Sequence, residues 1–184
     1  DSCKKISYLF PRAHAVAYVM MAFRIAWFKV YHPLAFYAAY FSIRAKAFDL
    51  RIMTGDLNTQ LKEFNRIKAL DRGASPKEKD LMSALEVSME MYQRGYRFIN
   101  VDIQHSGARR FSIKDGALLP PFLAIDSLGE TVADAIVEER EAKPFTSLKD
   151  LQRRCKVSAT IIETMKELRC CGDLPEDEQM SLFG

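Results

Sequence analysis

Between Phe10 and Arg44 the chain reads FPRAHAVAYVMMAFRIAWFKVYHPLAFYAAYFSIR, too apolar for an ordinary surface helix and too interrupted for a membrane span. Apolar residues fill nearly every position from Ala13 to Phe28, the pattern of a helix buried on most of its circumference. A spanning helix needs about 20 apolar residues with few or no charges. Here Arg12 and His14 stand in the first turn, and Arg24 and Lys29 follow. The segment is therefore expected to form the core of a soluble domain with basic groups at its rim, and no membrane partner is expected. Pro33 ends the helix, because the residue before proline is pushed out of the α region. A second aromatic-rich helix then runs from about Pro33 to Arg44 with proline at its start.

The rest of the chain is legible from its punctuation. Leu57, Leu61, Phe64, Ile67 and Leu70 recur at helical spacing, so about Asp56–Leu70 is an amphipathic helix. Ser75-Pro76 with Glu78 reads as a capping box opening a helix that buries Leu81, Leu85, Ser88 or Met89, and Tyr92, and stops at Gly95. Phe98–Ile103 then alternates as a strand. Arg110–Lys114 and Ala117–Leu119 around Asp115-Gly116 read as a hairpin closed by Pro120-Pro121. Arg109, Arg110 and Lys114 beside Phe111 are compatible with backbone contact to a nucleic acid, the alternative being a charged face kept for solubility.

The formal charge is only +3, but it is uneven. Residues 1–52 carry eight Lys/Arg (Lys4, Lys5, Arg12, Arg24, Lys29, Arg44, Lys46, Arg51) against Asp1 and Asp49, leaving the remainder net acidic. A basic end on a near-neutral body suits partial contact with a polyanion. Cys3, Cys155, Cys170 and Cys171 lack metal-ligand spacing and are expected to be free packing groups in a reducing, cytoplasmic setting. No catalytic residues and no metal ligands are assigned. Asp49, Asp56, Asp102, Asp115, Asp126 and Asp134 show no two-metal constellation, and His14, His32 and His105 are isolated.

These residues carry a family resemblance. YLFPRAHAVAYVMMAFRIAWFKVYHPLAFYAAYFSIRA resembles the fingers region of bacterial C-family replicative DNA polymerases, nearest the PolC branch, with Arg12 in place of a usual lysine. The likeness continues through KEKDLMSALEVSMEMYQRGYRF, GALLPPFLAIDSLGETVADAIVEERE and the terminal QMSLF, in the family's order. The DnaE branch is a weaker match, because there a further domain normally follows the hairpins. Since Asp1 lies only residues before an apolar helix, the chain is expected to be the C-terminal portion of a longer protein, with part of that helix's native partner elsewhere.

Several expectations follow from the resemblance. Ile125–Ile136 resembles half of a helix–hairpin–helix motif, with Gly129 and Ala133 in place but Ser127 where the motif has its first glycine. Lys156–Ile162 resembles a degenerate second half without glycine, joined by a connector helix with Phe145, Leu148 and Leu151 inside. DNA contacts are expected from Ser127, Gly129, Thr131, Arg109, Arg110, Lys114, Arg153, Arg154 and Lys156, and triphosphate contacts from Arg12 and His14. Leu174-Pro175 ends the fold, Glu176–Glu178 is a solvated acidic spacer, and Gln179, Met180, Ser181, Leu182 and Phe183 resemble the pentapeptide that docks on the sliding clamp. The fold expected is mainly α with a small β-hairpin element (α+β). It comprises a helical fingers portion (1–96), the hairpin element (97–121), a tandem helix–hairpin–helix domain (122–174) and the clamp tail (175–184). The expected parent is a DNA-directed DNA polymerase acting on primer-template DNA and incoming dNTP, with the sliding clamp and the remainder of the polymerase as partners. Its Mg2+-binding palm aspartates are expected outside this chain, so the chain alone should be inactive. A non-enzymatic DNA-binding adaptor recruited by the clamp is the alternative.

Overall fold

The computed structural model describes residues 12–177, and within them the fold is mainly α with one small antiparallel hairpin. The helices are α1 (Arg12–Tyr31), α2 (Pro33–Ala39), α3 (Leu50–Met53), α4 (Leu57–Ala69), α5 (Pro76–Gln93), α6 (Glu130–Ala142), α7 (Leu148–Cys155) and α8 (Ala159–Glu167). Strands β1 (Ser112–Lys114) and β2 (Ala117–Leu119) pair Ile113 with Leu118. Local chemistry explains most of these boundaries. His32-Pro33 separates α1 from α2, and a π-helical turn, Tyr40–Arg44, continues α2. Asp56 caps α4 through the Thr59 amide, and Ser75 and Glu78 form a reciprocal capping box on α5. Gly95, at φ +85°, ends that helix as only glycine does cheaply. Asp115 and Gly116 both take positive φ, the type I′ geometry that matches the twist of a two-residue hairpin.

Two buried clusters organise the chain. The first gathers Tyr37, Phe41, Met53, Ile67, Leu85, Met91, Phe98 and Leu118, so the hairpin packs on the helical body rather than standing apart. Its aromatic centre is a chain of edge contacts, with the Phe41 and Phe98 ring centroids 4.9 Å apart and Phe48 and Phe111 5.0 Å apart. The second gathers Phe122, Ile125, Leu128, Ala133, Ile136, Leu151, Val157, Ile162 and Met165, with Cys155, Cys170 and Cys171 buried in it as free thiols.

Three sequence expectations are corrected. Helix α1 is not a buried core helix: none of its residues is buried, Phe23 being 72 % and Trp27 49 % exposed. Its apolar residues occupy every side, so no single neighbour covers them, and only its last turns are fastened. There Lys29 pairs with Glu90 at 2.6 Å, and Arg94 donates to the Lys29 carbonyl. By length and composition α1 is also long and apolar enough to cross a membrane. Second, Phe98–Ile103 is not a strand. Phe98 makes one isolated bridge to Leu118. Beyond it the Asp102 side chain accepts from the Gln104 amide and turns the chain, a local bond that competes with a ladder. Third, α4 buries Gln60, while Leu61 and Leu70 lie exposed. Gln60 donates to the Met53 carbonyl at 3.1 Å and accepts from Ser88 at 2.6 Å, which satisfies the buried amide.

Candidate nucleic-acid interface

The second cluster supports two hairpins with one backbone plan. In the first, Phe122–Ala124 forms a single 3-10 turn, Ser127 takes φ +64°, Leu128 is buried, and Gly129 is the N-cap of α6. In the second, α7 ends in Lys156 at φ +53°, Val157 is buried, and Ser158 is the N-cap of α8. The equivalences are thus Ser127 with Lys156, Leu128 with Val157, Gly129 with Ser158, and buried Ala133 with buried Ile162. The degenerate second half expected at Lys156–Ile162 stands here, and what the sequence did not mark is its left-handed residue, Lys156. The shared signal is a left-handed residue followed by an apolar plug and an N-cap.

The two helix openings differ chemically. Ser158 accepts from the Ile161 amide through its own hydroxyl, at 3.3 Å. Gly129 has no side chain to do so, and the first intrahelical bond of α6 runs from the Ala133 amide to the Gly129 carbonyl. The amides of Glu130, Thr131 and Val132 therefore lack an intrahelical acceptor. Gly129 itself has φ −77°, and a Cβ built there would meet nothing within 4 Å. Neither conformation nor internal packing calls for glycine at this position. What a glycine leaves open is approach from outside, beside exposed Ser127 and Thr131.

The cations are sorted by their partners. Arg109 lies in the loop before β1 and reaches α6, bonding Glu130 at 2.5 Å and Asp134. Lys114 bonds Asp102 at 3.1 Å and approaches His105 Nδ1 at 2.8 Å. Burial works against the Asp102 carboxylate, but the Gln104 amide, His105 and Lys114 together hold it below its usual range. Arg154 is mostly buried, bonded to Glu139 and Asp150 and set over the Phe145 ring at 4.7 Å. Arg153 stays exposed but pairs with Asp150 at 2.8 Å. Asp150 is buried, and although burial favours its neutral form, the two guanidiniums lower its pKa. Arg110 and Lys156 are exposed and, among the described residues, make no ion pair. A further cation that sequence reading passed over is Arg140, which donates to the Ile103 and Ser106 carbonyls and fixes the 103–106 turn.

Elsewhere, Arg12 and His14 both sit exposed in the first turn of α1, two positions apart and so on different sides of the helix. The His14 ring meets Tyr18 edge-on at 4.5 Å. Within the acidic spacer, Glu176 and Asp177 are exposed to solvent but tied to the fold. Glu176 pairs with Lys166, Asp177 pairs with Lys149, and the Pro175 and Glu176 carbonyls accept from the opening amides of α7. Gln179–Phe183 lies outside the described residues. No group of three or more His, Cys, Asp or Glu side chains is placed to hold a metal among the described residues. The acids above are committed to cations or amides instead, so they do not form a cradle for the Mg2+ of a polymerase palm.

A helix opening behind a left-handed residue and a buried apolar plug, without a side-chain cap in the first copy and capped by Ser158 in the second, gives a helix–hairpin–helix arrangement. Residues 95–179 match the family model described as the helix-hairpin-helix motif. Over its whole length the chain is also 50 % identical to a DNA polymerase III PolC-type of Caldanaerobacter subterraneus subsp. tengcongensis, and 46 % identical to one of Streptococcus pyogenes serotype M12. The chain spans 13 % of the length of each of these curated relatives.

Proposed function

We propose that this chain is the duplex-gripping segment of a PolC-type replicative DNA polymerase. The observation that carries this reading is the opening of α6, where Gly129 offers its three following amides no side-chain acceptor and a Cβ at Gly129 would meet nothing within 4 Å. Helix amides and the helix dipole together favour a phosphate at such a place. Amide contacts of this kind carry no base information, so the grip is sequence-independent and serves a polymerase that must track any template. Ser127, Thr131, Arg110 and Lys156 lie on or beside the two hairpins and extend the grip to neighbouring phosphates. Arg153, Arg154, Lys114 and Arg109 act first through their carboxylate partners and hold the hairpins in shape. Binding of an unrelated set of DNA duplexes to the 184-residue chain tests the reading. Equal affinities that fall steeply with salt are expected, whereas strong preference for one sequence would contradict it.

Three further assignments rest on the likeness to the polymerases. The exposed apolar surface of α1 is covered by the remainder of the polymerase chain, which also brings the metal-binding aspartates. Arg12 meets the triphosphate of the incoming dNTP, with His14 turned toward Tyr18. Gln179–Phe183 docks on the sliding clamp as an extended peptide, with Leu182 and Phe183 as apolar anchors. Loss of one such anchor costs about 2 kcal/mol, or roughly thirtyfold in affinity. Titration of the clamp with Phe183→Ala checks that figure, and unchanged affinity on deleting the residues after Asp177 would defeat the assignment.

A further inference from the structure

The first turn of α6 contains a conflict. Glu130 is its first residue, and Asp134 lies one turn on, about 6 Å along the axis. Acids there stabilise the helix through its dipole, but they repel a phosphate arriving at the same amides. Both lie within the screening length of about 10 Å at 0.1 M salt, so solvent alone does not hide them. Arg109 answers both carboxylates at once. Its Nη1 bonds Glu130 at 2.5 Å, its Nε bonds Asp134 at 3.1 Å, and its Nη2 bonds the other Asp134 oxygen. Every guanidinium nitrogen is therefore engaged. The loop carrying it is set by main-chain bonds, the Phe122 amide to the Gly107 carbonyl at 2.9 Å and the Leu123 amide to the Ala108 carbonyl at 3.1 Å. The fork on Asp134 keeps that carboxyl ionised below its usual range and raises the arginine correspondingly.

We propose that Arg109 is a charge-compensating positioning residue for DNA binding: it neutralises Glu130 and Asp134 so that the opening of α6 accepts a phosphate, and it does not itself touch the DNA. The inference rests on the reading of the first hairpin as the phosphate grip. It differs from a direct-contact role, in which removing the two acids would free the arginine and leave its own loss irreparable.

The test is binding of a fluorescein-labelled 20-base-pair DNA duplex to the 184-residue chain at 100 mM KCl, with thermal melts of every variant. Arg109→Ala is expected to weaken binding roughly fivefold to tenfold, about the effect of one phosphate-scale charge. The triple variant Arg109→Ala, Glu130→Gln, Asp134→Asn is expected to return to within about twofold of wild type, although it still lacks the tie between loop and helix. That rescue separates charge compensation from a structural role. A triple variant as weak as Arg109→Ala would overturn the proposal. If Arg109→Ala does not fold, Arg109→Gln with the same acid partners carries the comparison. Gly129→Val is run alongside. Full affinity in a folded Gly129→Val protein removes the hairpin reading and this inference with it, while weakened binding there with a failed rescue removes the Arg109 role alone.

Discussion

The two hairpins share a backbone and differ in what they leave unsatisfied. Ser127-Leu128-Gly129 and Lys156-Val157-Ser158 each run from a left-handed residue through a buried apolar plug to an N-cap. The second spends an amide of its helix opening on the Ser158 hydroxyl, and the first spends none on a side chain. Geometry is thus carried by the turn and the plug, and on the proposed reading the cap sets how many amides a phosphate can reach. A hairpin without glycines keeps the same shape but, on that reading, offers a phosphate less.

If the plugs do the same work, truncating either should destabilise the fold strongly. Leu128→Ala is expected to cost about 3 kcal/mol and Val157→Ala about 2 kcal/mol, in chemical denaturation. A large loss at one plug with none at the other would break the equivalence. The second hairpin has a support that the first lacks, the buried Asp150 between Arg153 and Arg154. Asp150→Ala is expected to cost about 3 kcal/mol, less the share screened around the exposed Arg153. Because the Asp150 pKa is lowered in the folded state, its stabilisation is fully present above the unfolded carboxylate value and is lost as pH falls through the folded one. Hydrogen exchange should therefore show α7 loosening on acidification, and Asp150→Ala should show that loosening already at neutral pH. An α7 that stays closed in Asp150→Ala would contradict this support. The smallest effect belongs to the turns. Ser127→Gly and Lys156→Gly should each gain about 0.5 kcal/mol, since relief of a left-handed residue slightly exceeds the entropy that glycine adds to the unfolded chain. A loss at either position would show that its side chain is needed in the turn.

The sequence made the local punctuation plain: the capping box at Ser75 and Glu78, the Asp115-Gly116 turn, and the stop at Gly95 all stand where their chemistry put them. What depended on partners distant in sequence did not. Arg109 looked like a hairpin cation until α6 was placed beside it, and nothing in the apolar spacing of α4 marked Gln60 for burial against Ser88 and the Met53 carbonyl. Asp102 broke a strand that alternation alone had promised. Helix α1 misled most, because apolar composition specifies a need for burial and not the element that supplies it. For the interface, the cap glycine was visible in the sequence. The second hairpin showed only as a degenerate likeness, since Lys156 in a left-handed turn has no compositional mark.

On the proposed reading the Gly129 cap, and not the Ser158 cap, grips phosphate. That claim is tested most directly by the salt dependence of duplex binding in wild type, Gly129→Val and Ser158→Val, with folding verified by melts. The account predicts that Gly129→Val weakens binding about tenfold on every duplex and flattens the salt slope by about one phosphate contact. Ser158→Val should keep affinity and slope within about twofold. Unchanged binding in a folded Gly129→Val protein, or a larger loss at Ser158, would contradict it.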